Sequence, residues 1–194
     1  LALETRAGAN ARVWLVNQDN DSVSVFDAVM FTKLAEITVG SAPRSVAIAP
    51  DGRIWVTNKG SSSISVISPS SLAVVQTFAL TRAAMPFGMV VAPNGSAVFV
   101  ALEATGQLLK LDPASGSVLG SQSVGASPRH LSITAASDRV LVSRFVSPPL
   151  PGEGTASVQT EVAGIKRGGE VVVVNATSLA IESTVVLQHS DRAD

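Results

Sequence analysis

The chain has 194 residues, 46% hydrophobic and 15% charged, with 15 Gly, 10 Pro and no Cys. This composition can bury a sizeable core and is not that of a disordered chain, and a net charge of −1 offers no basic field for nucleic acid or an anionic membrane. The lack of Cys excludes disulfides, thiolate metal sites and covalent c-type haem attachment within this segment, and no apolar run reaches the roughly 18 residues of a membrane-spanning helix.

The chain opens at Leu1 without the basic, apolar, small-residue order of a secretory signal. Its leader, LALETRAGANA, predicts over residues 1–7 the outer strand of a unit that precedes the first complete one. From Arg12 one unit then recurs. It reads RVWLVNQDNDSVSVFD followed by PRSVAIAPDG, then RIWVTNKGSSSISVIS from Arg53 followed by PFGMVVAPNG, then SAVFVALEATGQLLKLD from Ser96 followed by PRHLSITAASD. A fourth copy begins with RVLVSRF at Arg139 and resumes with GGEVVVVN at Gly168. Trp14, Trp55, Phe99 and Leu141 hold equivalent places, at spacings of 41, 44 and 42 residues. A period of about 40–45 residues carrying four strands is that of a propeller blade.

Within each unit, apolar alternation and turn residues place the strands. Residues 45–49, 88–92 and 130–134 predict innermost strands, whose small intervening side chains suit a crowded centre. The first two of these end at APDG (49–52) and APNG (92–95), where Pro presets φ and Gly accepts a positive one. The second strands are IWVT, VFVA and VLVS. The third are SVSVF, SISVI, QLLKL and EVVVV, closed by Asp27, Ser68, Asp112 and Asn175, short polar side chains suited to bonding nearby amides. The outer strands are AEITV, QTFAL, SQSVG and STVVL. Trp14 and Trp55 read as blade-to-blade packing. The expected fold is thus an all-β propeller: residues 1–194 form one segment with four visible four-stranded blades starting near 12, 53, 96 and 139. The ragged ends suggest a fragment of a larger ring of about six to eight blades.

The order of a PxGVAVTPDG segment, a VYVTN strand, a VSVID strand and a polar turn is that of the YVTN β-propeller family, which PRSVAIAPDGRIWVTNKGSSSISVIS resembles. The resemblance covers roughly residues 12–191. It weakens where Ala101 and Leu102, and then Ser143 and Arg144, replace the Thr and Asn of VTN. It implies a propeller of an exported bacterial or archaeal protein, periplasmic or at the cell surface. It does not fix a function, because propellers of this kind serve as surface-layer components, periplasmic binding proteins and partners of electron-transfer modules.

The fourth unit breaks the rule with an insert over 146–167, Pro-rich and then rich in Gly, Ser and Thr. It falls between second and third strands, on the rim where innermost strands begin, and reads either as a surface loop or as a lid or docking segment. Arg44, Phe87 and Arg129 take equivalent places at the start of successive innermost strands, with His130 beside the last and Arg144 on the same rim. Two guanidiniums flanking an aromatic suit a carboxylate or phosphate, the alternative being local pairing of each Arg with a neighbouring blade. His130 has no second His, Asp or Glu at ligand spacing, so it reads as a hydrogen-bonding residue rather than a metal ligand, and His189 carries less weight still. The acceptor patterns at Asn20, Asn94 and Asn175 fall where the repeat demands turns, and Asp19, Asn20 and Asp21 lack the rest of a calcium loop.

No nucleophile elbow, P-loop, zinc-protease helix or carboxylate pair is present in the sequence. Two functions follow. One is a noncatalytic exported propeller that binds a protein or a small anionic ligand, with no cofactor in this segment and no nucleic-acid or membrane partner. The other is the propeller portion of a larger redox protein linked to a cytochrome c-type domain, with the remaining blades elsewhere in the same chain.

Overall fold

The computed structural model describes residues 1–145, 161–162 and 165–188. Its strands group into four antiparallel sheets, each with strands paired in chain order. Blade one is β1 (Ala2–Glu4), β2 (Arg12–Asn17), β3 (Ser22–Asp27) and β4 (Lys33–Thr38). Blade two is β5 (Pro43–Ile48), β6 (Ile54–Asn58), β7 (Ser63–Ser68) and β8 (Ala73–Ala79). Blade three is β9 (Pro86–Val91), β10 (Val98–Leu102), β11 (Gln107–Leu111) and β12 (Val118–Ser123). Blade four is β13 (Pro128–Ile133), β14 (Arg139–Arg144), β16 (Ile165–Asn175) and β17 (Ile181–Gln188), with β15 (Glu161–Val162) paired to the start of β16. Of the insert expected over 146–167, Glu161–Val162 and Ile165–Arg167 belong to strands, and the remainder lies outside the described residues, as does His189.

The leader is not the outer strand of a preceding blade. β1 is the first strand of blade one, and Ala2 faces Trp14 in the register that sets Ala47 opposite Trp55. The expectation failed because this copy lacks the APDG turn: a longer connection, residues 5–11, joins β1 to β2. The other first strands begin about two residues earlier than expected, each at a proline, Pro43, Pro86 or Pro128. A proline fits there because the first residue of a strand has no ladder bond to lose.

The turn chemistry follows the sequence. Gly52 and Gly95 have φ of +83° and +74°, and each amide donates to the carbonyl three residues back, Ala49 or Ala92, at 2.8 Å. A carboxylate oxygen of Asp27 accepts from the amides of Val29 and Met30, one of Asp112 from Ala114 and Ser115, and the amide oxygen of Asn175 from Thr177 and Ser178.

The second strands of blades two and three, β6 and β10, are buried on both faces, because those blades are packed between neighbours. Three cores result. Trp14, Val23 and Val25 of blade one meet Val46, Ile54, Val56 and Ile67 of blade two. Trp55, Ile64 and Val66, from the other face of blade two, meet Val98, Val100 and Leu111 of blade three. Phe99 and Leu108 then meet Val140, Val142, Val172 and Val174 of blade four. The first strands β1, β5, β9 and β13 touch in series along the inside of the arc. No comparable contact joins blade four to blade one among the described residues, so the four blades form an open arc.

Candidate functional site: a cation–aromatic cluster on one rim

In blades two, three and four the residue that follows the second strand is tied to the start of the first. The amides of Lys59, Glu103 and Phe145 donate to the carbonyls of Ala42, Met85 and Ser127, the residues just before Pro43, Pro86 and Pro128, at 2.8–3.0 Å. Two rings of side chains therefore share one rim. The inner ring is Arg44, Phe87 and Arg129. The outer ring is Gln18, Lys59, Glu103 and Phe145, each just after a second strand.

The rings interlock across blade boundaries. Arg44 of blade two donates to Gln18 Oε1 of blade one; Phe87 of blade three lies 5.4 Å from Lys59 Nζ of blade two; Arg129 of blade four pairs with Glu103 of blade three. Phe87 is the hub. Besides Lys59, the guanidinium carbons of Arg44 and Arg129 stand 5.4 and 5.2 Å from its ring centroid, and the His130 ring meets it edge-on at 5.4 Å and 87°. Arg129 also lies 3.9 Å from the centroid of the exposed Phe145 ring. A phenyl face offers each cation an attraction worth roughly 0.5–1 kcal/mol at exposed sites, and a ring shared by three cations helps to hold like charges together.

Glu103 is the carboxylate in this cluster. It accepts from both Lys59 and Arg129, and its side chain is only 10% exposed. Burial opposes its ionisation, but the hydrogen bonds and charges of Lys59 and Arg129 outweigh that and hold the carboxyl below its ordinary value. Three cations against one carboxylate leave the cluster positive. Arg44 is the least committed of the three: it reaches the neutral Gln18, and its Nε is buried without a hydrogen-bond partner.

Of the residues expected on this rim, the structure brings together Arg44, Phe87, Arg129 and His130. Arg144 stands apart, paired with Glu170 and donating from Nε to the Ala126 carbonyl at 3.0 Å. It takes the place of Asn58, and Glu170 directly opposite takes the place of Ser63. In blade two that pair is an amide and a hydroxyl, Asn58 Nδ2 donating to Ser63 and Ser65; in blade one it is Asn17 with Ser22 and Ser24. Gln18, Lys59, Glu103 and Phe145 were not singled out from the sequence. The available signal was the residue just after each second strand, compared across the four copies.

Among the described residues, no group of three or more His, Asp or Glu could hold a metal ion, and no helix is long and apolar enough to cross a membrane.

No family model matches the chain, and no curated protein matches it. Solved structures do. Hydrazine synthase of Kuenenia stuttgartiensis is 18% identical with a TM-score of 0.75, over 95% of this chain and 48% of that one. Dihydro-heme d1 dehydrogenase NirN, in complex with DHE, is 14% identical with a TM-score of 0.66, over 96% of this chain and 37% of that one. At these identities the likeness is one of fold. The fold is a β-propeller. This chain spans about half the length of the first protein and about a third of the second.

Proposed function

We propose that this propeller segment is a noncatalytic binding module whose Phe87 rim holds an anionic group, a carboxylate or phosphate, of a small ligand or a partner protein. The observation that carries this reading is the convergence of Arg44, Lys59 and Arg129 on one ring with only Glu103 to offset them. Arg44 in particular has no carboxylate partner among the described residues. A charge-assisted hydrogen bond to a guanidinium contributes about 1.5–3 kcal/mol.

Calorimetry with inorganic phosphate and with succinate tests it. The parent should bind at least one of them, and the double variant Arg44→Ala, Arg129→Ala should bind at least tenfold more weakly with an unchanged circular dichroism spectrum. A parent that binds neither anion, with a double variant that mainly melts earlier, would make these arginines inter-blade struts and end the reading.

A second reading, the propeller portion of a larger redox protein, is favoured by the names of the two similar structures, a hydrazine synthase and a dihydro-heme d1 dehydrogenase. On that reading the open arc is completed by further blades of the same polypeptide, and a C-x-x-C-H haem-attachment motif lies in the flanking coding sequence. Both readings take the repeat as YVTN-type and the protein as exported to the periplasm or cell surface. Supporting the repeat type is the shared role of the motif's last residue, since Asn17 and Asn58 each bind two serines of the next strand.

A further inference from the structure

Blades two and three carry a cavity at the same place in the repeat, between the turn after the second strand and the crossover to the next blade. On blade two it measures about 590 Å³ and runs from Ala42 and Arg44 past Lys59 to Leu80, Arg82 and Met85. On blade three it measures about 510 Å³ and is lined by Glu103, Thr105, Ser123 and Ser127, with Met85 on the shared wall. The scaffold makes both hollows, but their chemistry is opposite. The first has three cations and no carboxylate in its lining; the second has a carboxylate and no cation.

Part of the difference is Lys59 against Glu103 at equivalent places after the second strand, and part is a departure from the repeat. Leu80 and Val124 are equivalent, each donating its amide to the carbonyl of the residue at the hairpin turn, Ser62 or Gly106. From there to the proline that opens the next blade, the second crossover is two residues longer than the third: Thr81–Met85 against Gly125–Ser127. The extra residues place Arg82 at the cavity. Arg82 has no carboxylate within 4 Å among the described residues, and Ala83 turns through a φ of +60°. Ala42, Ala79, Leu80, Ala83 and Met85 supply apolar lining, and Ser61 and Ser62 add polar groups.

We infer that the blade-two cavity is a ligand site that adjoins the Phe87 cluster, sharing Arg44 and Lys59 with it and adding Arg82, and that its ligand is an organic anion with an aromatic or branched alkyl body. The volume lies within the roughly 300–1,000 Å³ of small-molecule pockets, which combine apolar lining with a few convergent polar groups. Arg82 belongs to this cavity alone and Arg129 to the rim cluster alone, so the two sites can be tested apart.

Methyl-labelled methionine gives the readout, since the three methionines lie in different surroundings: Met30 on an exposed turn of blade one, Met85 on the cavity wall and Met89 in the core. Titration of the whole chain with naphthalene-2-sulfonate should shift the Met85 signal saturably and leave Met30 in place. The uncharged 2-methylnaphthalene at equal concentration should not shift Met85. Arg82→Ala should weaken the sulfonate at least tenfold, whereas Arg129→Ala should leave it unchanged while weakening phosphate. The inference is overturned if Met85 does not move, if 2-methylnaphthalene moves it equally, or if Arg82→Ala binds the sulfonate as the parent does, which would assign the anion to Arg44 and Lys59 of the rim cluster.

Discussion

Glu4 shows how one carboxylate organises the inside of blade one. It accepts from Arg12 Nε and Nη2 at 2.8 and 2.7 Å and from Trp14 Nε1 at 2.7 Å, so a buried guanidinium and a buried indole share one partner. The equivalent place in blade two is Ala49, and there the indole N–H of Trp55 is buried without a partner. Burial disfavours the Glu4 anion, but the hydrogen bonds from Arg12 and Trp14 and the charges of Arg12 and Arg6 prevail, so its carboxyl titrates below the ordinary 4.5. A depressed carboxyl stabilises the fold above its unfolded-state value, and the contribution disappears as pH falls through the folded one. Glu4→Gln should therefore cost about 2–3 kcal/mol at pH 7, because it leaves the Arg12 charge largely uncompensated. In urea denaturation the gap between parent and variant should close as the pH is lowered below about 4. A gap that is constant with pH would assign the loss to packing.

At the scale of the element, the inner strands are held closer than side chains allow. A methyl group added at Gly88 in β9 would lie 2.0 Å from the Arg129 carbonyl oxygen in β13, and that obstacle is backbone, which cannot rotate away. Gly88→Ala should destabilise the chain by about 3 kcal/mol or more, beyond ordinary overpacking, and should loosen the interlock of Phe87 with Arg129 on adjoining residues. A variant with parental melting would mean that β9 and β13 do not pass this closely. The strands themselves were legible in the sequence, since alternation and the residues Asp27, Asp112 and Asn175 mark their course and ends. The rim was legible only in part. Arg44 to Gln18 and Arg129 to Glu103 are contacts between residues 26 apart, made by packing one blade on the next. No local pattern announces such a pairing. It appears only when polar residues outside the apolar strands are compared copy by copy. β1 was misread for the complementary reason: with three residues and no APDG turn, it carries none of the marks by which its counterparts were found.

For the whole molecule, the polar clamps between blades run in one direction. Arg12 donates to the Pro69 carbonyl of blade two at 2.9 Å, Arg53 to the Pro113 carbonyl of blade three at 2.8 Å, and Lys110 to the Thr177 carbonyl of blade four at 3.2 Å. Each reaches the turn between the third and fourth strands of the following blade. Arg139 is the counterpart of Arg12 and Arg53, but it bonds to Glu182 and Asp138 of its own blade and remains 49% exposed. The apolar faces agree with this. Leu3 and Leu15 of blade one, and Val185 of blade four, are exposed on sides whose equivalents elsewhere are cores. Exposed apolar side chains of this kind on an open blade face favour association. Because the two open faces are different, a contact that joins one to the other between copies would be head to tail, giving a ring if the rotation closes and a filament if it does not. Sedimentation of residues 1–194 should therefore show concentration-dependent association, and Leu3→Glu with Leu15→Glu should abolish it by placing charge on blade one's open face. The surface location of both side chains predicts little change in circular dichroism. A parent that sediments as a monomer at all concentrations and melts at high temperature would show that the arc is stable with both faces uncovered.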